Sequence, residues 1–293
     1  MNRKYYERLL VIAGIFLIFF VITMLSLPLL IDVLHIDAKS RDGLLFISVY
    51  QAVVMFIFAS LLAARINSPA PASYLHLNVA PSWLGIVGVI FAYLIALPAL
   101  NQIIYWNSNL TFPDSWAYWG ETFREMEERA AEASNVMMNV SSIGAFVVNL
   151  VVIALITAFG EELFFRGTLQ SAAASGGANH TAIWVVALIF SAMHFQFFGF
   201  VPRLLLGAWF GYLLYWSRSV YLPMIAHFIN NGVVVLCAWL SNHYITINLD
   251  TFGVTEVGFP MPAFISALAF VIFVVYFKNF FFCEKKKVRR LYA

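Results

Sequence analysis

Long apolar runs alternate with short polar stretches along the whole chain. A membrane-crossing helix needs about 20 mostly apolar residues. Eight runs approach that length, at 9–31, 44–64, 83–104, 141–174, 181–199, 203–217, 220–240 and 262–282. The pattern predicts an all-α fold, a polytopic membrane protein with about eight transmembrane helices. Between the second and third runs, "RINSPAPASYLHLNVAPSW" is rich in proline, serine and alanine and reads as a loop. Between the third and fourth, "ETFREMEERAAEAS" sets Phe123, Met126 and Ala130 at helical spacing among alternating charges. That pattern fits an amphipathic helix on the membrane surface or a solvated helical loop. No internal repeat and no low-complexity tract interrupts the series.

Composition agrees with the pattern. Hydrophobic residues make up 62% of the 293 positions and charged residues 11%, against about 25% charged in a soluble domain. Such a chain cannot cover a water-facing surface. The first apolar run is too long for a signal-peptide core and no small-residue cleavage site follows it, so it reads as an uncleaved first helix. Cys237 and Cys283 show no spacing for a metal knuckle or a disulfide framework.

Basic residues set the expected orientation. With the N-terminus inside, inner segments hold eleven Lys and Arg and outer segments five, with Arg166 left in a helix. An even number of spans puts the basic tail "EKKKVRR" inside too, so both termini are expected to be cytoplasmic. There the tail would meet anionic lipid headgroups. The lipid bilayer is the expected environment, and no nucleic-acid partner is expected.

Ionisable groups at membrane depth are costly and mark functional sites by default. They concentrate between residues 160 and 232. "AFGEELFFRG" carries Glu161, Glu162 and Arg166 on the fourth run, "FSAMH" ends the fifth at His194, and "HFINN" places His227, Asn230 and Asn231 on the seventh. Counted from the turn "SGGAN", Glu161 and His194 lie roughly 22–24 Å along adjacent antiparallel helices, and His227 and Asn231 roughly 12–18 Å along theirs. The four can converge.

Angular positions separate two devices. Glu162 and Arg166 are four apart, share a face and can neutralise each other. Glu161 points about 140° from Arg166 on an ideal helix. No cation on its own helix answers it, so its expected partners are His194, His227 and water. His227 and Asn231 also share a face, whereas Asn230 is turned aside to local packing. Gly207 and Gly211, with Pro202 in the first turn of the same helix, read as packing features. His35, His76, His180 and His243 fall in loops or at helix ends, and Trp83, Trp106 and Trp216 read as interfacial anchors.

Three of these stretches resemble known motifs. "EELFFR" resembles EExxxR, "FSAMH", from Phe190 to His194, resembles FxxxH, and "HFINN" resembles HxxxN, in that order on three helices. On these motifs the chain resembles the CPBP intramembrane proteases, the type II CAAX prenyl endopeptidases and bacterial Abi-type proteins. The resemblance covers roughly residues 140–240 and departs at no motif position. It divides the chain into residues 1–140 with three helices and the amphipathic loop, 141–240 as a catalytic core of four helices, and 241–293 with the last helix and basic tail. It implies an eight-helix bundle with a cavity open to the cytosol and hydrolysis of a peptide bond in a membrane-associated or prenylated peptide or protein. Glu161 would activate water with His194 assisting, and His227 and Asn231 would form an oxyanion hole. Glu162, Arg166 and Phe190 would be structural. No cofactor is expected, although zinc on Glu161, His194 and His227 is the alternative, since the family has also been described as metalloproteases. A scaffold or bacteriocin-immunity role, or a proton-coupled transporter, would use the same bundle without hydrolysis.

Overall fold

The computed structural model describes residues 5–177, 179–242 and 251–291, with side chains described as far as Lys278. Its regular structure is helical throughout these residues. In chain order the principal helices are α1 (Tyr5–Val33), α2 (Arg41–Asn67) and α3 (Trp83–Ser108). They are followed by α4 (Ala117–Met138), α5 (Ile143–Ala174) and α6 (Asn179–Ala192). The last three are α7 (Phe200–Ser217), α8 (Tyr221–Ser241) and α9 (Met261–Leu291).

Among the described residues seven helices are long and apolar enough to cross a membrane, and α6 is a shorter apolar one. The protein is thus an integral, multi-pass membrane protein. Serine side chains start three of its helices: Ser40, Ser82 and Ser142 accept from the main-chain N–H of Gly43, Gly85 and Ala145. Each relieves one of the donors that a helix start leaves unpaired.

The fifth apolar run departs from its predicted span of 181–199. Helix α6 has 14 residues and stops at Ala192, and the chain reverses before α7. No proline or glycine marks the end, because tertiary partners make it. Phe195 takes a left-handed φ of 54°. Asn107 of α3 donates to the Phe197 carbonyl and accepts from the Val201 N–H. Ser191 donates to the Phe200 carbonyl at 2.6 Å. His194 therefore sits in the reversal, not on a helix.

The amphipathic stretch forms α4, a helix of 22 residues with none buried. Aromatic stacking attaches it to the reversal, with Phe123 lying flat against Phe197 at 5.1 Å. Two of the four apolar clusters among the described residues hold most of the bundle's helices. One joins α1, α2, α5 and α6 around Ile12, Phe164, Phe165 and Phe190. The other joins α3, α7, α8 and α9 around Val89, Phe210, Leu222 and Phe277. Large apolar residues such as Leu10, Leu25 and Val271 face outward, a surface suited to hydrocarbon and not to water. Trp83 and Trp106 are exposed, as anchors should be, but Trp216 is buried against Trp209 and Tyr212. His243 lies outside the described residues, as do the side chains of Cys283 and the basic tail.

Candidate functional site

The site is built on an irregular helix. Within α5, Leu150–Ile156 and Leu163–Gln170 are wound as π-helix, with an α-helical segment, Thr157–Glu162, between them. The wider turn bonds residues five apart and recurs at functional sites. Side chains follow it: Thr157, Thr168 and Ser171 donate to carbonyls five residues back, on Val152, Leu163 and Arg166. The two glutamates end the short α-helical segment. Gly160 lets α2 come close, since a Cβ there would lie 3.0 Å from the Ala52 carbonyl oxygen.

Glu162 and Arg166 form the expected pair, with Arg166 Nη1 3.0 Å from Glu162 Oε1 and both side chains wholly buried. The pair is not a closed device. The same Glu162 Oε1 also accepts from His227 Nδ1 at 2.9 Å. Across the imidazole, His227 Nε2 lies 4.0 Å from Glu161 Oε2. The two glutamates thus flank one ring of α8, so the Glu162–Arg166 pair and Glu161, expected as separate devices, meet at His227. Arg166, Glu162, His227 and Glu161 form a chain of alternating charge whenever His227 carries its second proton.

Phe190 is the wedge that the other parts touch. Its ring meets His194 edge-on at 5.0 Å and His227 at 6.0 Å, and the Arg166 guanidinium lies 4.5 Å from its centre. Phe210 of α7 stacks on His227 at 5.0 Å. A guanidinium over ring faces gains cation–π attraction, which is strongest out of water.

Hydrogen bonds fix the histidine tautomers. His194 Nδ1 lies 2.8 Å from the Phe190 carbonyl oxygen, which can only accept, so Nδ1 carries the proton and Nε2 of the neutral ring keeps its lone pair. Glu161, His227 and Arg203 all act on His194 electrostatically. Asn231 is committed differently: its amide donates to the Ile153 carbonyl at 3.3 Å and accepts from Asn230 at 3.1 Å. An oxyanion role for Asn231 therefore rests on its second N–H. Asn230 orients Asn231 and is not a bystander.

Gly207 and Gly211, expected as packing residues, also present their carbonyls to α5, and Gln170 joins the site unmarked by any motif. Arg166 Nη2 donates to the Gly207 carbonyl at 3.0 Å, and Gln170 donates to the Gly211 carbonyl at 2.9 Å. Both pairs are four apart, so α5 and α7 engage in matched register. The signal was legible, since Glu162, Arg166 and Gln170 continue one spacing. Zinc needs several donors around one point. Among the described residues no three His, Cys, Asp or Glu side chains are placed to hold a metal ion.

Residues 143–233 match the family of the type II CAAX prenyl endopeptidase Rce1-like proteins, and every motif residue lies inside that stretch. The uncharacterized protein YpbD of Bacillus subtilis (strain 168) is 32% identical over 89 residues. That match takes in 29% of this chain and 43% of YpbD, so the chain spans less than half the length of that relative. No solved structure matches. The matched family bears out the resemblance carried by the three motifs.

Proposed function

We propose that the Rce1-like segment of this membrane protein is a glutamate-dependent endopeptidase that cleaves a membrane-associated or prenylated peptide. One observation carries the reading. Glu161 is nearly buried, and its Oε2 has no hydrogen-bond partner although it faces His227. Buried carboxylate oxygens are ordinarily paired. A carboxylate left unpaired beside His227, with His194 against the same Phe190 ring as His227, suits a general base. The 4.0 Å gap to His227 is too long for a direct bond and can be bridged by a water with arms of about 2.8 Å.

The chemistry then follows from the residues. Glu161 takes a proton from water as its oxygen attacks the peptide carbonyl carbon. The carbonyl oxygen becomes an oxyanion and meets His227 Nε2–H and the second N–H of Asn231. Glu162, neutralised by Arg166, supports the charge on His227 through Nδ1. The proton on Glu161 passes to the leaving nitrogen as the C–N bond breaks. His194, with Nδ1 fixed by Phe190, offers Nε2 to the attacking water.

The test uses a farnesylated peptide ending in a CAAX-type tetrapeptide and the purified chain in detergent. The wild type cleaves it and Glu161→Gln and His194→Ala do not. Wild-type turnover in both variants would sink the reading. A zinc chelator leaves turnover intact; loss of turnover restored by zinc would replace this mechanism with the metal-dependent one. A partner that binds Glu161→Gln as well as wild type, with no hydrolysis, would favour a scaffold. The cytoplasmic placement of both termini is proposed on the same footing, and cysteine accessibility from each side of the membrane tests it.

A further inference from the structure

Arg203 is a charged residue that the mechanism above does not use. It stands in the first turn of α7, nine residues after His194. Its Nη1 donates to Gln196 Oε1 at 2.9 Å and its Nη2 to the Gln196 main-chain carbonyl. The guanidinium lies over Gly199, where a Cβ would fall 2.6 Å from Nη2. A side chain there would push the guanidinium off this position. Gln196 in turn donates to Glu127 of α4 at 3.4 Å, and Glu127 acts on Arg203 electrostatically. Two further contacts attach α4 to the same turn: Arg124 lies 3.6 Å above the Phe198 ring, and Phe123 stacks on Phe197.

The turn needs such support. Phe195 follows His194 directly and holds a left-handed backbone, a conformation that persists only where surroundings impose it. The His194 ring is anchored through Nδ1 on the Phe190 carbonyl, and the residue's main-chain N–H donates to the Ser191 carbonyl. The direction of Nε2 thus depends on what grips the next five residues, and Arg203 grips them at Gln196 twice.

We propose that Arg203 is a positioning residue for His194 and that Glu127 is its counter-ion, so that the amphipathic helix α4 completes the site through the turn 195–199. The proposal rests on the peptidase reading for its kinetic consequence, and its geometric consequence stands without it.

Two readouts test it on the full chain in detergent. The first is the rate at which diethyl pyrocarbonate modifies His194, read by peptide mass spectrometry, with His35 as an internal reference. Arg203→Gln and Glu127→Gln raise the His194 rate several-fold, Arg203→Lys leaves it near wild type, and His35 does not change. The second is cleavage of the farnesylated peptide. Arg203→Gln lowers kcat by up to about 10²-fold with KM unchanged, and Arg203→Lys recovers part of it. The double variant with Glu127→Gln is no slower than Arg203→Gln alone. An unchanged His194 rate in Arg203→Gln overturns the proposal, as does a loss that appears in KM and not in kcat. If the wild type cleaves nothing, the peptidase reading fails and the His194 rate alone decides this one.

Discussion

Two polar clusters lie inside the bundle, and they use their hydrogen bonds in opposite ways. On α3, Asn101 donates to the Phe252 carbonyl, and Gln102 takes the Thr255 N–H at 2.7 Å while giving to its carbonyl at 3.2 Å. Asn107 takes a main-chain N–H and gives to a main-chain carbonyl on the reversal after His194. Each of these side chains stands in for backbone and finishes the hydrogen bonding of a loop. On α5, side chains meet side chains as well as backbone, and four atoms are left over: Glu161 Oε2, Glu162 Oε2, Arg166 Nε and Gln170 Oε1. A buried polar atom without a partner costs stability. The α3 cluster avoids that cost, and the α5 cluster bears it, as expected where a water and a substrate complete the set.

The largest effect should separate the two clusters outright. Glu161→Gln lowers turnover by about 10²- to 10⁴-fold, the range for a lost general base, and leaves the folded bundle intact. Gln102→Leu, at a more deeply buried position, leaves turnover within a few-fold and is read instead in stability. If the two substitutions were equal in turnover, the contrast between the clusters would collapse.

Next in size is Arg166→Leu. It leaves Glu162 buried with the His227 hydrogen bond but without its cation, and removing one member of a buried pair costs about 3–5 kcal/mol. Unfolding in mixed micelles measures it. Adding Glu162→Gln recovers part of the loss, since the stranded charge goes with it. An additive double variant would mean that the pair is not a unit.

The sequence carried the α5 cluster well and the α3 cluster hardly at all. Charges in an apolar run stand out, and Glu161, Glu162, Arg166, His194 and His227 were all marked before any geometry. Asn101, Gln102 and Asn107 are uncharged and fall in the last two turns of α3, where polar residues are ordinary. The winding is not legible in the local sequence: no proline marks the π-turns of α5, and Gly167, the one glycine inside them, reads equally as a packing residue. The end of α6 was missed for a related reason. Asn107, Ser191 and Arg203 make that reversal from a distance, so the local sequence continues to look like a helix.

A smaller effect tests the register between α5 and α7. An alanine Cβ at Gly211 would sit 2.8 Å from Gln170 Oε1 and 2.9 Å from Ile183 Cγ2. Overpacking of that kind costs about 1–3 kcal/mol, so Gly211→Ala lowers stability despite the better helix propensity of alanine. Turnover falls only as far as the shift is passed along α5 to Arg166. Gly144→Ala, where a Cβ meets nothing within 4 Å, is the control and loses nothing.

The smallest effect sharpens the idea that the α3 cluster replaces backbone. Pro98 lies inside α3 and interrupts its ladder. Ser266 of α9 fills the opening: its hydroxyl accepts from the Ala99 N–H at 3.2 Å and donates to the Ile95 carbonyl at 2.5 Å. Those two groups would bond each other in an unbroken helix. Ser266→Ala therefore costs about 0.6 kcal/mol, the average for a hydrogen bond between membrane helices, and leaves turnover unchanged. In a Pro98→Ala background α3 can close its own Ile95–Ala99 bond, and the same Ser266→Ala substitution then costs nothing. A cost that persists in that background would show that Ser266 packs α9 against α3 and does not replace the missing turn.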